Sequence, residues 1–366
     1  QKTEGVAAFL QKSGVRALAY HAGLSAEERY DNQRIFQQED GVVIVSTIAF
    51  GMGINKPDVR FVAHIDIPRS IEAYYQETGR AGRDGLPATA WLAYGLQDLM
   101  QQRKLIEGSN GDDAFKERSA DALNAMLAFC EASSCRRQRV LRYFGEQSEP
   151  CGNCDICAEP PRLWDATVAA QKLLSTIYRL RKEYGEFSGA KHLIDILHGK
   201  KTERVVQQKH HQLTVFGIGR ELDESQWRGL IRQLLAAEYL EMQSEGFRTT
   251  YYLAKKSHDI LLGKKKLRLR QIEPLSKLRS NNQMPSQNRA VFELSAEDAL
   301  LFEKLREWRL DEAKASSVPA YIVFRDITLY QLALKKPQSL EDLAQVEGMG
   351  DKKIATYGEA ILNLLK

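Results

Sequence analysis

Two arginines three positions apart lie in a short segment near the start of the chain. The segment, residues 76–83, reads Gln-Glu-Thr-Gly-Arg-Ala-Gly-Arg and contains Arg80 and Arg83. A guanidinium is always charged, and its planar fork of donors matches phosphate oxygens. An arginine held against a γ-phosphate stabilises the charge that develops during transfer. The spacing predicts both side chains on one face of a helical turn, with Gln76 nearby. The alternative is a surface pair bound to acidic neighbours such as Asp84 or Glu77.

A second segment with phosphate chemistry lies upstream. Residues 46–55, Ser-Thr-Ile-Ala-Phe-Gly-Met-Gly-Ile-Asn, follow the apolar run Val-Val-Ile-Val. Such a run is typical of a buried parallel strand, and ligands of open α/β sheets bind beyond the carboxyl ends of these strands. Gly51 and Gly53 allow a phosphate to approach the backbone closely, with Thr47 at the start of the loop. A plain tight turn from strand to helix is the alternative interpretation.

The elements around these two segments alternate between strand and helix. Apolar runs at 16–20, 42–45 and 61–65 predict strands. Ser25, followed three residues later by Glu28, forms a capping box and predicts a helix that ends near residue 37. Strands separated by helices at this spacing predict a doubly wound α/β lobe.

Four of the five cysteines form a metal-ligand pattern. Fifteen residues separate Cys135 from Cys151, and two residues separate each member of the series Cys151, Cys154 and Cys157. Zinc in structural sites takes four such thiolates in a tetrahedron. In a chain with no secretory signal, clustered cysteines indicate metal before disulfides. One structural Zn²⁺ is therefore predicted, with unpaired buried thiols as the alternative. Cys130 is predicted to be a small core residue.

The positive charge of the chain is concentrated in its middle. The 366 residues carry +4 at pH 7, divided as −4 over 1–161, +4 over 162–263, +6 over 264–294 and −2 over 295–366. A polyanion is attracted to the middle regions first. The length indicates about two to four domains. No apolar run approaches the ~20 residues of a membrane span, so no membrane partner is expected.

Residues 162–263 carry the pattern of a winged helix. The expected elements are three helices and a hairpin, at 165–184, 190–197, from Asp223 onward, 239–242 and 249–253. Such domains often dock on duplex DNA, and a protein-binding or spacer domain is the alternative. Residues 244–248 are the candidate for a strand-separating hairpin.

The last hundred residues divide into a connector and a helical domain. The lysine- and arginine-rich stretch 264–294 predicts a flexible basic linker. In the helical domain, Gly348 and Gly350 offer backbone N–H groups to phosphate at a helix start, followed by Lys352. Tyr321 is a candidate to stack on an unpaired base. A core tyrosine and a plain glycine turn are the alternatives, so weak binding to single-stranded or junction DNA, or a protein contact, is expected.

These motifs together resemble the RecQ family of superfamily 2 helicases. Residues 20–24, 49–57 and 74–85 are similar to the family's motifs IV, V and VI, and the match is dense over 15–95. The basic helix after Cys135 and the knuckle 151–157 are similar to the family's zinc subdomain. The two domains that follow resemble its winged helix and its terminal HRDC domain.

The resemblance implies an ATP-dependent 3′-to-5′ DNA helicase that acts in DNA repair and recombination. It implies that Arg83 is the arginine finger and that Arg80 and Gln76 support the ATP site. Thr47, Gly51 and Gly53 would contact the DNA backbone and couple it to the nucleotide. The family's zinc subdomain supports the fold and contacts DNA, which makes two arginines of its basic helix DNA-binding candidates, Arg136 and Arg137.

Half of the expected ATP site is absent from the sequence. The phosphate loop G-x-x-x-x-G-K-[ST] occurs nowhere in the chain, and the family's acidic metal-binding motif is also missing. The family places both in a first lobe. The chain begins with Gln, so it is expected to be a piece of a longer protein and inactive as an ATPase alone. ATP and Mg²⁺ are expected cofactors of the longer enzyme.

The expected partners and location follow from the family alone. They are single-stranded DNA, duplex junctions and forks, with single-stranded-DNA-binding protein as a further family partner. The compact layout resembles bacterial members, which implies a cytoplasmic protein at the nucleoid. The preferred DNA structure, the protein partners and the oligomeric state do not follow from the sequence.

The predicted architecture is multidomain, with two alternative functions still open. The regions are a second RecA-like helicase lobe, a zinc-binding helical subdomain, a winged helix, a basic linker and an all-α HRDC domain, at 1–96, 97–161, 162–263, 264–294 and 295–366. One alternative is a zinc-stabilised DNA-binding protein with a decayed motor lobe, against which Gln76, Arg80 and Arg83 argue. The other is an RNA helicase fragment, against which the zinc knuckle and the terminal module argue.

Overall fold

The chain folds into two compact units, and each is described by itself. The computed structural model describes residues 2–48, 50, 56–185, 188–245, 248–272, 294–316 and 318–365. The first unit comprises Gln1–Ala63, Gln76–Trp91 and Arg289–Lys366, and the second comprises His64–Tyr75 and Leu92–Asn288. Across those described ranges, none of the helices has the length and apolar character that a membrane crossing requires.

The N-terminal part of the chain, here called the motor lobe, alternates between helix and strand. Its elements are α1 Lys2–Lys12, β1 Ala17–Tyr20, α2 Ala26–Gln38, β2 Val43–Ser46, β3 Phe61–His64, α3 Ile71–Thr78 and β4 Thr89–Leu92. Strands β1 and β2 pair in parallel, and β3 pairs with β4. The capping box before α2 is confirmed, because the Glu28 amide donates to Ser25 Oγ at 3.1 Å and the Ser25 amide donates to Glu28 Oε2 at 3.0 Å.

The C-terminal part of the first unit, here called the terminal module, is entirely helical where it is described. Its helices are α13 Ala296–Ala315, α14 Ala320–Val323, α15 Asp326–Lys335, α16 Leu340–Leu343 and α17 Asp351–Leu364. The core between them is fully enclosed, with 0% exposure of Leu305, Phe324, Leu329 and Ile361. Burial of such side chains provides most of the stability of a small helical domain.

The long segment Leu92–Asn288 of the second unit contains the zinc subdomain and the winged helix. The subdomain consists of α4 Leu96–Glu107, α5 Asp113–Cys130, α6 Arg136–Tyr143 and α7 Asp155–Ala158. The winged helix consists of β5 Leu163–Asp165, α8 Thr167–Tyr184, α9 Ala190–His198, α10 Glu203–Gln207, a 3₁₀ turn at His210–Gln212, α11 Glu224–Ala236, β6 Leu240–Glu245, β7 Arg248–Leu253, α12 Ser257–Leu261 and β8 Arg268–Arg270.

The winged helix packs around the tryptophan of α11. Trp227 is 0% exposed, and its indole N–H donates to the carbonyl of Gly219 at 2.9 Å. A Cβ on Gly219 would lie 2.7 Å from the Trp227 ring, so only glycine fits beneath it. The predicted hairpin is the antiparallel pair β6–β7, in which Leu240 lies opposite Leu253. The candidate strand-separating residues at its tip include 246–247, which lie outside the described residues.

Part of the stretch predicted as a linker is folded. Strand β8 lies within residues 264–294 and pairs antiparallel with β5, with Trp164 opposite Leu269. Leu267 is buried, and its amide donates to Thr167 Oγ1 at 2.8 Å. The basic side chains of this stretch concealed the alternating apolar positions Leu267 and Leu269. Residues 273–293 lie outside the described residues.

Candidate zinc centre and arginine loop

The predicted arginine pair lies in a loop and not on a helical turn. Helix α3 ends at Thr78, and residues 79–88 form turns and bends before β4. Gly82 has φ +68°, a conformation that favours glycine, and its amide donates to the carbonyl of Val59 at 2.9 Å. A Cβ there would lie 3.0 Å from the Leu86 carbonyl oxygen. The expected helical geometry is therefore wrong, because α3 ends before Arg80 and Gly82 adopts a left-handed conformation between the two arginines.

A buried ion pair that the sequence did not reveal anchors this loop. The Asp84 side chain is 0% exposed and pairs with Arg60, which precedes β3. The Arg60 Nε also donates to the Asp58 carbonyl at 3.0 Å, and Asp84 Oδ1 accepts from the Leu86 amide at 3.1 Å. Asp84, one of the two alternative partners proposed for the arginines, is thus held by Arg60.

The three polar side chains predicted for the ATP site lie on or next to this anchored loop. Arg83 is exposed, and its Nε donates to the Gly79 carbonyl at 3.1 Å. Gln76 is exposed on the last turn of α3, and Arg80 is half-buried. Arg83 therefore presents its guanidinium from a loop whose backbone is fixed at Gly82 and Asp84.

The loop after β2 is described only at its start. Thr47 is exposed, and its amide donates to the Tyr20 carbonyl at 3.2 Å. The Phe50 ring packs edge-on against Tyr20 and Phe36, with centroids 4.7 and 5.5 Å apart. The predicted glycines of this loop, 51 and 53, lie outside the described residues.

The four predicted zinc ligands converge at one point between α6 and α7. The sulfur atoms of Cys135, Cys151, Cys154 and Cys157 all lie within 4.8 Å of one another. The Sγ atoms of Cys135 and Cys154 are 4.0 Å apart. Four sulfurs at about 2.3 Å from a tetrahedral zinc ion lie about 3.8 Å from each other. The donor set and its spacing therefore fit Zn²⁺, which would hold the two helices together as a structural ion.

Backbone N–H groups donate hydrogen bonds to the sulfur atoms of this cluster and so stabilise the thiolate form. The Cys151 amide donates to Cys135 Sγ at 3.3 Å, and the Arg136 amide donates to Cys154 Sγ at 3.4 Å. Burial raises the pKa of the Cys135 thiol, but hydrogen bonds from the backbone at Gln138 and Cys151 outweigh burial and lower this pKa to about 6. Thiolates are the form that binds zinc. Cys130 lies apart, buried at the end of α5, where burial raises its pKa to about 12.

The two basic-helix candidates have different environments. Arg136 donates to the carbonyls of Phe129 and Cys130 at 2.6 and 3.0 Å, and pairs with Asp155 at 2.9 Å. Arg137 is exposed. The Arg136 guanidinium therefore ties α5 to the zinc knuckle, whereas the Arg137 side chain faces solvent.

A buried polar network links the zinc subdomain to the winged helix. Glu131 follows α5, and its side chain is 4% exposed. Its Oε1 accepts from Arg232 Nε on α11 at 2.8 Å and from the Tyr94 hydroxyl at 2.7 Å. The Arg232 guanidinium also lies 5.5 Å from the Tyr94 ring centroid. These partners are too far apart in sequence for any local pattern to have identified them.

The terminal candidates lie at the start of α17 and near α14. Gly348 has φ +88°, and a Cβ there would lie 2.3 Å from Thr328 Oγ1, so packing alone requires glycine. Gly350 is the N-cap of α17 with no side-chain cap, and Lys352 is exposed in its first turn. Tyr321 is half-buried. Gly348, Arg83 and Tyr321 border one cleft, which is described below.

Comparisons with known proteins match this order of domains. Four family models apply: the helicase conserved C-terminal domain over residues 1–85, RecQ zinc-binding over 96–158, the RQC domain over 160–277 and the HRDC domain over 298–365. The chain is therefore a helicase C-terminal lobe followed by zinc-binding, winged-helix and HRDC domains.

Three similar curated proteins share one description. The ATP-dependent DNA helicases RecQ of Haemophilus influenzae and Pasteurella multocida are 39% and 38% identical to it over 100% of the chain, and that of Bacillus subtilis is 32% identical over 96%. The chain belongs to the RecQ family. It spans 58%, 56% and 56% of the lengths of these relatives.

A solved structure matches the terminal module by sequence. The third HRDC domain of D. radiodurans RecQ is 41% identical, over 19% of this chain and 92% of that chain. Its TM-score is 0.19, which is too low to bear on the fold.

Proposed function

We propose that this chain is the DNA-handling part of an ATP-dependent 3′-to-5′ DNA helicase that acts in repair and recombination. The observation that carries the proposal is the anchored loop that presents Arg83 beside Gln76 and Arg80, followed in the same chain by a four-thiolate zinc centre. Two relatives that are similar over the whole of this chain are named ATP-dependent DNA helicases. The intact arginine loop argues against a DNA-binding protein without a motor.

Arg83 acts in this proposal as an arginine finger. Its guanidinium contacts the γ-phosphate of an ATP held by the first lobe of the longer protein, with Mg²⁺ supplied by that lobe, and it stabilises the charge that develops in transfer. Gln76 and Arg80 position the nucleotide. Thr47, with Gly51 and Gly53, contacts the DNA backbone.

The proposed partner of the remaining domains is DNA at single-strand to duplex transitions, including forks and junctions. The winged helix contacts the duplex, and the exposed Arg137 contacts phosphate while Arg136 supports the zinc knuckle. The terminal module contributes Tyr321, Gly350 and Lys352 to weak single-strand binding. Single-stranded-DNA-binding protein is proposed as a protein partner on the ground of family alone.

The domain boundaries proposed from the sequence need one extension. The pairing of β5 with β8 and the RQC match over residues 160–277 support a winged helix that includes β8. The motor lobe at 1–96, the zinc subdomain at 97–161 and the terminal module at 295–366 remain as proposed. Residues 264–272 then belong to the winged helix and not to the linker.

A strand-displacement assay tests the proposal. The longer protein that contains this chain should unwind a DNA duplex with a 3′ tail in the presence of ATP, and should not unwind a matched RNA duplex or a DNA duplex with a 5′ tail. Tight DNA binding without unwinding would instead support the zinc-stabilised binding protein, and unwinding of the RNA duplex would support an RNA helicase.

The isolated 366-residue chain should show no DNA-stimulated ATP hydrolysis. Its Arg83 side chain has no phosphate loop of the same chain to act on, because the sequence contains none. Turnover that co-purifies with the chain and disappears in Arg83→Ala would contradict the assignment of the catalytic nucleotide to the missing lobe.

A further inference from the structure

A buried ion network joins the terminal module to the motor lobe within the first unit. Asp40, which follows α2, accepts from Arg309 Nη2 at 3.2 Å and from Arg306 Nε at 3.3 Å, both on α13. The Arg309 side chain is 1% exposed and also donates to Asp326 Oδ1 at 2.6 Å within the module. One buried guanidinium thus serves both the module's own fold and its contact with the lobe.

On the motor lobe, a lysine and a second carboxylate complete this network. Lys56 Nζ lies 3.7 Å from Asp40 Oδ1 and 3.3 Å from Asp58 Oδ2, and all three side chains are largely buried. Burial raises the pKa of Asp40, but Arg309, Lys56 and Arg306 outweigh burial and hold this pKa below its usual value. Separating a buried carboxylate from three cationic partners costs much free energy. The Asp40 network therefore holds the terminal module against the motor lobe in one arrangement.

A polar cleft lies beside this network. Its volume is about 560 Å³, within the ~300–1,000 Å³ typical of ligand sites. Pro57 and Arg83 line it on the motor lobe. The terminal module lines it with Tyr321, Ile322, Arg325, Ile327, Thr328, Glu347, Gly348 and Lys353. The predicted arginine finger therefore faces the same space as two basic side chains of the terminal module.

The charges in this cleft favour an anion with several oxygens. Arg83, Arg325 and Lys353 supply three positive charges against the single carboxylate of Glu347. Glu347 Oε2 already accepts from Nε2 of the Gln331 side chain at 3.4 Å. Burial lowers the pKa of Lys353, and the charge of Arg325 lowers it further, so the two cations are close enough to repel each other. A bound polyanion would relieve that repulsion.

We propose that this cleft is a phosphate-binding site shared by the motor lobe and the terminal module, in which Arg325 and Lys353 hold the same phosphate groups as Arg83. The proposal rests on the proposed function only in treating Arg83 as a phosphate ligand. Its new content is that the terminal module supplies two of the three cations. The phosphate chain of a nucleotide and the backbone of a DNA strand share this chemistry.

Calorimetric titration of the 366-residue chain with sodium triphosphate tests the site directly. Arg325→Gln and Lys353→Gln should each weaken triphosphate binding by about tenfold or more, since each removes charge-assisted hydrogen bonds. The matched control is Lys314→Gln, which removes an exposed charge of the last turn of α13 outside the cleft lining and should leave the affinity within twofold. Absence of triphosphate binding, or equal affinities in all three variants, overturns the proposal.

Exchanging the charges of Asp40 and Arg306 tests whether phosphate binding needs both walls of the cleft or only one of them. Asp40→Arg should weaken triphosphate binding, because repulsion from Arg306 and Arg309 separates the two walls of the cleft. Arg306→Asp in addition should restore most of the affinity. Circular dichroism and zinc content verify that both variants fold. Unchanged triphosphate affinity in Asp40→Arg contradicts a site that needs both walls.

Competition identifies the source of the phosphate. Displacement of triphosphate by ATP but not by a ten-residue thymidine oligonucleotide assigns the cleft to nucleotide, and the reverse pattern assigns it to DNA backbone. Either result supports the phosphate site. Loss of the site in these titrations leaves the helicase proposal standing, because Arg83 is tested separately there by ATP turnover in the longer protein.

Discussion

At the scale of single residues, four clustered cysteines and one anchored arginine carry the chemistry of this chain. The spacing of Cys135, Cys151, Cys154 and Cys157 predicted a cluster that the fold brings together within 4.8 Å, because a knuckle is largely local. Arg83 was predicted from its motif, but its anchor, Asp84 bound to Arg60, was not. A salt bridge between residues twenty-four positions apart has no periodic signature.

The Arg60–Asp84 pair should control the stability of the arginine loop. Arg60→Ala leaves the fully buried Asp84 carboxylate without its cation, which should cost about 1–3 kcal/mol. Hydrogen exchange of residues 79–88 should accelerate in this variant. The control Arg34→Ala removes an exposed arginine of α2 and should leave the exchange of the loop unchanged. Equal protection in both variants would show that the pair does not anchor the loop.

The zinc cluster should be required for folding of its subdomain. Cys154→Ser removes one of four thiolates, so the chain should lose its single equivalent of zinc and become insoluble, because metal binding and folding are coupled in such sites. Metal analysis and a solubility assay measure this. Cys130→Ser, at the cysteine outside the cluster, should retain one zinc per chain. A soluble, folded Cys154→Ser protein without metal would refute a structural role for the ion.

At the scale of elements, local signals located helices well and missed pairings between distant segments. The capping box predicted at Ser25 and the helix start predicted at Asp223 located the starts of α2 and α11 within a residue, since the signals of a helix start lie within a few consecutive positions. Strand β8 was taken for linker because its partner β5 lies about one hundred residues earlier. The contact between α5 and α11 through Glu131 and Arg232 was missed for the same reason.

The Glu131–Arg232 pair should stabilise the contact between the zinc subdomain and the winged helix. Glu131→Ala leaves Arg232 without its carboxylate and the Tyr94 hydroxyl without its acceptor. The free energy of unfolding should fall by about 3–5 kcal/mol, as it does when one partner of a buried ion pair is removed. The double variant Glu131→Leu with Arg232→Leu should recover much of this. Denaturant unfolding monitored for the second unit measures both, and additive losses would contradict a direct interaction.

A histidine pair makes the winged helix sensitive to acid. His192 and His210 are buried, with Nε2 and Nδ1 2.8 Å apart. Burial, together with the charges of Arg204 and His210, lowers the pKa of His192 to about 4. The pKa of His192 is lower in the folded state than in the unfolded state. The contribution of its neutral imidazole to the free energy of unfolding is therefore complete above about pH 6.5 and is lost as the pH falls towards 4.

The thermal midpoint of the winged helix should therefore fall steeply between pH 6.5 and 4. His192→Gln should flatten this dependence, because the titrating imidazole is gone. His258→Gln, at an exposed position of α12, should retain the wild-type slope. Calorimetry across this pH range measures the three midpoints, and identical slopes in all three proteins would exclude His192 as the source.

At the scale of the whole molecule, the order of domains followed from the sequence, whereas contacts between them did not. Each domain has its own motif, so the RecQ resemblance assigned all of them. The ion network of Asp40 with Arg306 and Arg309 joins segments separated by more than 260 residues. Only the folded chain reveals that Arg83 and the terminal module's Arg325 and Lys353 border one cleft.

The measurement that tests the central claim most directly is DNA-stimulated ATP turnover by the longer protein with Arg83 replaced. Arg83→Ala should lower kcat by about 10³-fold or more, as expected for loss of an arginine finger, with a smaller change in KM for ATP. Arg34→Ala is the matched control and should keep the wild-type kcat. A kcat for Arg83→Ala within a fewfold of wild type would contradict the assignment of this chain as the lobe that completes the ATP site.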